Sequence, residues 1–217
     1  FYTFTLAEAK QLYFDSLTNN SALNWTLVGP RGTVISNKAF NASDSFDFGL
    51  GAPILDLAAG NYTLTIDIGA DSTVPYALRL LDLALAPVIV PGTTVSGQIT
   101  PARETDLYRF AATAGERFFF DFVSASGGET YWRVVDPYGQ VVFDRTSFSS
   151  DLGLKTLENT GTYTVIIEGR ITTVGNASYT FNAQKIVDDA KPLVPGASQG
   201  TDRQWTAGEL GGAAYLD

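Results

Sequence analysis

Asp106-Leu107-Tyr108-Arg109-Phe110, then Thr113-Ala114-Gly115-Glu116, then Phe118-Phe119-Phe120-Asp121: the reading of this stretch decides the fold. Aromatic and small residues fill the flanking runs and Ala114-Gly115-Glu116 supplies a turn, so the pattern predicts strand, tight turn, strand. Phe1-Tyr2-Thr3-Phe4, Ala7-Glu8-Ala9-Lys10 and Leu12-Tyr13-Phe14-Asp15 match it without a gap. The chain therefore carries one module about twice.

Outward from these two anchors, the remaining elements repeat in order. In the first unit an opening hairpin is followed by Asn24-Trp25-Thr26-Leu27-Val28, a turn at Gly29-Pro30-Arg31-Gly32, and the return strand Thr33-Val34-Ile35. A polar loop runs from Asn37 to Gly51, and Ile54-Leu55-Asp56-Leu57, Ala58-Ala59-Gly60 and Asn61-Tyr62-Thr63-Leu64-Thr65-Ile66 read as strand, turn and strand. Val74 to Leu83 is expected as the closing strand: its Tyr76 to Leu83 could be taken for a helix, but the repeat partner Tyr179-Thr180-Phe181-Asn182-Ala183 has strand composition. In the second unit Trp132 answers Trp25, Pro137-Tyr138-Gly139 answers Pro30-Arg31-Gly32, and Gly161-Thr162-Tyr163-Thr164 answers Gly60-Asn61-Tyr62-Thr63. Thr93 to Thr100 forms an extra leading strand whose counterpart would lie before Phe1, so the first unit is expected to lack one strand and expose a sheet edge. On this reading the chain is an excerpt from a longer polypeptide. The expected architecture is all-β: two tandem antiparallel β-sandwich domains, residues 1–86 and 87–190, joined by a short Pro-bounded linker at Ala84 to Pro91.

Composition bounds the function. The chain has 217 residues, 45% hydrophobic and 17% charged, enough apolar material for two packed cores. A net charge of -9 and a sequence pI near 4.4, with no run of Lys or Arg, argue against a nucleic-acid partner. No window approaches the roughly eighteen consecutive apolar residues of a membrane span, so no membrane insertion is expected. There is no cysteine and no histidine. Ser-His-Asp and Cys-His nucleophile systems are excluded, as are His-ligated zinc sites. Carboxylate chemistry survives, but Glu104, Glu116, Glu129 and Glu158 are scattered among strand ends, and no enzyme activity is expected.

The ordered set Asp106 to Phe110, Ala114 to Glu116, Phe120-Asp121, Asp136 to Gly139 and Thr160 to Thr164 resembles the bacterial pre-peptidase C-terminal domain. The resemblance spans nearly all of the second unit and, less its first strand, the first. It departs at Gly29, where the second unit has Asp136, and at Glu8-Ala9-Lys10, where Gly is usual. The family implies jelly-roll-like sandwiches in secreted bacterial proteins, beside catalytic domains or in long surface chains, with some relatives binding calcium or a polymeric substrate. Residues 191–217 hold a repeated linker, Leu193-Val194-Pro195-Gly196, and a stretch from Gln204 to Asp217 that resembles the first strand of laminin G-like, concanavalin-type domains. An extracellular or cell-surface location follows from these resemblances.

Two kinds of candidate site remain. Asp44, Asp47, Asp121, Asp136 and Asp144 lie near turns and could gather oxygen ligands for calcium; equally, Asp opens turns by bonding its own backbone. Tyr131 and Tyr138 are candidates for stacking on a sugar, whereas Trp25 and Trp132, at matching places on alternating strands, read as core. Calcium is the one cofactor suggested. The expected role is a non-catalytic spacer presenting flanking domains of the same polypeptide, with capture of a polysaccharide or surface protein as the alternative.

Overall fold

The computed structural model describes residues 1–69 and 73–187. The second linker, the lectin-like stretch and the last residues of the second unit lie outside them. The described chain is nearly all β, in four antiparallel sheets.

The first two sheets come from the first half. β1 (Tyr2–Leu6), β3 (Leu23–Gly29), β4 (Gly32–Ala39) and β6 (Gly60–Ile68) form sheet I, in the order β1-β6-β3-β4. β2 (Lys10–Ser16), β5 (Ile54–Leu57) and β7 (Leu78–Asp82) form sheet II, in the order β5-β2-β7. The second half repeats this. β9 (Thr105–Ala112), β11 (Thr130–Val135), β12 (Val141–Ser147) and β14 (Gly161–Gly169) form sheet III, ordered β12-β11-β14-β9. β8 (Val95–Ile99), β10 (Arg117–Ser126), β13 (Gly153–Thr156) and β15 (Ala177–Ile186) form sheet IV, ordered β13-β10-β15-β8.

The expected hairpin at each anchor is corrected by the pairing. β1 pairs with β6 and β2 with β5 and β7, so the two strands of the anchor lie in different sheets. β9 and β10 part in the same way, to β14 and to β13 and β15. The turn itself forms as read, with Gly115 at φ 88° and the Glu116 N–H donating to the Thr113 carbonyl at 3.0 Å. It arches from one sheet to the other because both strands carry a core-facing aromatic row, and two such rows bury each other best across a sandwich. By contrast Trp25 to Ile35 is a true hairpin, with Gly29 opposite Gly32. The closing strand is strand, not helix, and begins at Leu78.

Each sandwich has its own apolar layer. Between sheets I and II, Leu12, Phe14, Trp25, Leu27, Tyr62 and Leu64 are buried, with Phe14 stacked on Trp25 at 3.9 Å between ring centroids. Between III and IV the layer is richer in aromatics, with Phe110, Phe118, Phe120, Trp132, Tyr163 and Phe181 almost fully buried. Both Trp residues are therefore core.

A third layer joins the sandwiches. Tyr13, Leu83, Ala86, Leu107, Val135 and Ile166 bury one another between sheets II and III, so the four sheets form one continuous stack. The linker is fixed to it: the Ile89 N–H donates to the Arg109 carbonyl and the Arg109 N–H to the Pro87 carbonyl, both at 2.9 Å. β2 and β14, buried on both faces, are the central strands of this contact.

Candidate functional site

The chemistry-bearing side chains of the described residues concentrate in the II–III layer. Alternation along β2 sends Leu12 and Phe14 into the first core and Tyr13 and Asp15 outward, toward sheet III. On β14 the same rule sends Tyr163, Val165 and Ile167 inward and Thr164, Ile166 and Glu168 toward sheet II. Arg133 of β11 arrives from the same face.

Tyr13, Arg133 and Glu168 bond to one another. The Tyr13 hydroxyl donates to Glu168 Oε1 at 2.8 Å, and Arg133 Nε donates to Glu168 Oε2 at 2.8 Å. Arg133 Nη1 donates to the Gly51 carbonyl at 2.6 Å, tying the loop after β4 to the second sandwich. Arg133 and Glu168 are both fully buried. Removing two charges from water costs several kcal/mol each, and the good geometry and the extra hydrogen bonds offset that cost. Beside them Arg79 Nε donates to Asp15 Oδ2 at 2.6 Å, and Arg79 Nη2 donates to the Thr105 carbonyl at 2.7 Å. Glu104 lies 3.4 Å from Arg79 Nη1.

Asp15 is the strained member. Burial pushes its carboxyl from 3.8 up to about 7, outweighing the pull of Arg79 in the other direction. Asp44 is also raised, by its own burial first and by the Asp15 charge second, although it accepts the Ser16 N–H.

At the rim a short helix, α1 (Ser45–Phe48), reaches across. The Phe46 ring lies 5.1 Å from that of Tyr131, with the Arg145 and Arg170 guanidinium groups 4.0 and 4.7 Å from its centroid. Arg145 also donates to the Phe46 carbonyl. Arg170 lies 3.7 Å from Asp47 and donates to Glu129 at 2.7 Å. Asp144 Oδ2 accepts the Gly51 N–H at 3.0 Å, and its other oxygen is 3.7 Å from Arg133.

Of the residues singled out by sequence, Asp44, Asp47, Asp144 and Tyr131 thus come together at the junction, while the others stay apart. Asp136 opens the β11–β12 turn, its Oδ1 accepting the N–H groups of Tyr138 and Gln140 at 2.9 and 2.7 Å. Its Oδ2 accepts from Asn159 at 2.8 Å. Asp121 sits beside Asp151 on sheet IV, raised by partial burial and then by that neighbour's charge. Tyr138 is 64% exposed on its turn. Among the described residues no three acids lie close enough to hold a metal ion together. Because Asp47 and Asp144 face arginines, adding calcium at about 1 mM is expected to raise Tm by no more than about 2 °C, the effect of a millimolar-affinity site. A rise several times larger in a thermal melt would restore a calcium role for these aspartates.

Sequence reading passed over Tyr13, Asp15, Arg79, Arg133 and Glu168. A signal was present in the difference between copies. Positions 63, 65 and 67 of β6 are Thr, Thr and Asp, whereas 164, 166 and 168 of β14 are Thr, Ile and Glu. Thr26 on β3 likewise becomes Arg133 on β11. The exchange of Thr65 for Ile166 and of Thr26 for Arg133, on one outward face of one copy only, is the mark of a face that has acquired a neighbour.

A cleft of about 360 Å³ lies at another border of the two halves, lined by Lys10, Gln11, Asp82, Arg109, Pro137 and Thr164 among others. On its first-half side Lys10 donates to Asp82 at 2.6 Å. No helix of the described residues is long and apolar enough to cross a membrane.

No family model and no curated protein matches the chain. Among solved structures it is similar to Aeromonas hydrophila PliG, a periplasmic inhibitor of g-type lysozyme, at 14% identity over 46% of this chain and 96% of that one, with a TM-score of 0.38. It is similar to the pre-peptidase C-terminal domain of a Bacillus anthracis collagenase at 16% identity, over 46% and 94% of the two chains, with a TM-score of 0.37. A human MASP-1/3 fragment, CUB1-EGF-CUB2, is similar over 84% of this chain and 91% of its own at 8% identity, with a TM-score of 0.26.

Proposed function

We propose that the chain is a non-catalytic spacer of an exported bacterial protein, two sandwich units at residues 1–86 and 87–190 that hold flanking domains of the same polypeptide at a set distance and angle. The observation that carries this reading is the buried II–III layer. A flexible connector has no use for a desolvated Arg133–Glu168 pair, whereas a rigid one needs a contact that admits one geometry. The acids a hydrolase would draw on are engaged: Glu168 by Arg133, Glu104 by Arg79, Glu129 by Arg170 and Glu116 by Lys185. Location outside the cytoplasm rests on the resemblance of both units to secreted modules.

NMR relaxation or small-angle scattering on the intact chain tests it. One rotational correlation time shared by residues 2–69, 73–82 and 95–186 is expected. Independent tumbling of the two halves would overturn the spacer reading, as would turnover in a broad hydrolase screen. A second reading, a module that grips a polysaccharide or a surface protein, is favoured by the exposed Tyr138 ring. Tyr138→Ala is expected to change stability by less than about 0.5 kcal/mol, being a surface substitution. Glycan binding by the intact chain that this variant loses would move the conclusion to the second reading.

A further inference from the structure

The two sandwiches differ most at one edge. Leu12 and Phe118 occupy the same place in the repeat, and they pair with Asp82 and Lys185 respectively, which sets Tyr76 against Tyr179, Leu78 against Phe181 and Val74 against Ala177. Beyond β15 the second sandwich has β8, antiparallel, with Val95 opposite Phe181, Gly97 opposite Tyr179 and Ile99 opposite Ala177. Beyond β7, among the described residues, sheet II has nothing.

What β8 covers is informative. The Tyr108 and Tyr179 hydroxyls hydrogen-bond across the sandwich at 2.6 Å, and Gly97 lies directly on them: a side-chain carbon at that position would collide with both oxygens. Tyr179 is 2% exposed beneath it. The first sandwich has built the same pair, Tyr2 to Tyr76 at 2.8 Å, but these residues are 51% and 38% exposed. Val74, Leu78 and Leu80 pack against the core from the same margin and remain only partly buried.

The backbone is set for pairing too. The Ala77 carbonyl accepts the Leu17 N–H at 3.1 Å and its N–H donates to Thr18 Oγ1, on the β2 side. By strand alternation the backbone groups of Leu78 and Leu80 face the open side of β7. The matching Ala183 carbonyl accepts the Gly92 N–H at 2.9 Å as the chain enters β8.

We propose that the β7 edge is a strand-accepting site whose partner is an extended segment of pattern aliphatic-x-Gly-x-aliphatic, added antiparallel with its glycine over the Tyr2–Tyr76 pair. The first aliphatic residue then lies opposite Leu78 and the second opposite Val74, as Val95 and Ile99 lie opposite their counterparts in sheet IV. Main-chain hydrogen bonds supply affinity, and the glycine supplies selection, because any larger residue meets the tyrosine oxygens. The site does not depend on the spacer role.

The probe is a synthetic peptide with the sequence of residues 93–100, titrated into the intact chain by calorimetry, with hydrogen exchange read at residues 74–82. Saturable one-to-one binding with new protection at those residues is expected, and a peptide carrying Gly97→Val should bind at least tenfold more weakly. Absence of saturable binding would overturn the proposal, as would equal binding of the glycine and valine peptides. Sedimentation showing a dimer whose formation protects residues 74–82 without peptide would also overturn it, since the occupant would then be a second copy.

Discussion

Arg133→Ala is expected to destabilise the chain by about 3–5 kcal/mol, the cost of leaving a buried carboxylate without its counter-charge. Glu168 has no exposure through which water could replace the guanidinium, and the Gly51 carbonyl loses its donor at the same time. The loss should fall on the junction before the cores, because Arg133 points away from Trp132 and Val134, which line the III–IV layer. Urea unfolding of the variant should therefore show the two halves separating as distinct transitions, with faster hydrogen exchange along β2 and β14. Arg133→Met combined with Glu168→Gln should recover most of the stability, since a neutral amide still accepts from Tyr13 and no charge is left desolvated. A double variant as unstable as the single one would show that packing, not charge, holds the junction.

The second large effect is on pH. The Asp15 carboxyl, near 3.8 in the unfolded chain and pushed up to about 7 by burial in the folded one, keeps a proton in the folded state that the unfolded state has lost. Stability linked to this group is greatest below the unfolded value, falls as pH rises between about 4 and 7, and is flat above. Three pKa units set a ceiling of about 4 kcal/mol. Asp44 acts in the same direction, and Glu116, held below its usual value by Lys185 and the Thr113 N–H, acts against it. Urea midpoints should accordingly be higher at pH 5 than at pH 8. Asp15→Asn should shrink that difference, and adding Asp44→Asn should shrink it further. A midpoint that rises from pH 5 to pH 8, or a slope untouched by Asp15→Asn, would mean that water reaches Asp15 in the folded protein.

Both results concern a layer that neither unit contains alone. Apolar rows on sheets II and III would permit several sliding positions, as flat aliphatic faces do. The Arg133–Glu168–Tyr13 contact and the Arg79–Asp15 pair are satisfied in one of them only, so the buried polar groups fix the register of the two sheets. The same logic applies where α1 carries Phe46 to Tyr131, with Arg145 and Arg170 over its ring: cation–π and ion-pair contacts add to the junction at its rim.

How far each feature could be read from residues alone depended on the range of the interaction that sets it. Strand content, the Gly115 and Gly29 to Gly32 turns, the two buried Trp and the strand character of Leu78 to Asp82 were legible, because alternation, turn chemistry and an internal repeat are local patterns that burial within one sandwich reinforces. The Asp136 turn was legible as one of two alternatives, since an Asx turn and a ligand loop call for the same residue. Sheet membership at the anchors was not: a Thr-Ala-Gly-Glu turn serves a hairpin or an arch equally, and only the partners β6 and β14 choose between them. Least legible was the II–III junction, where Tyr13 and Asp15 follow the same alternation as any solvent-facing row. Their side chains became core only when a second sheet, some ninety or more residues away in sequence, brought Glu168 against Tyr13 and Thr105 against Asp15 and took the water away.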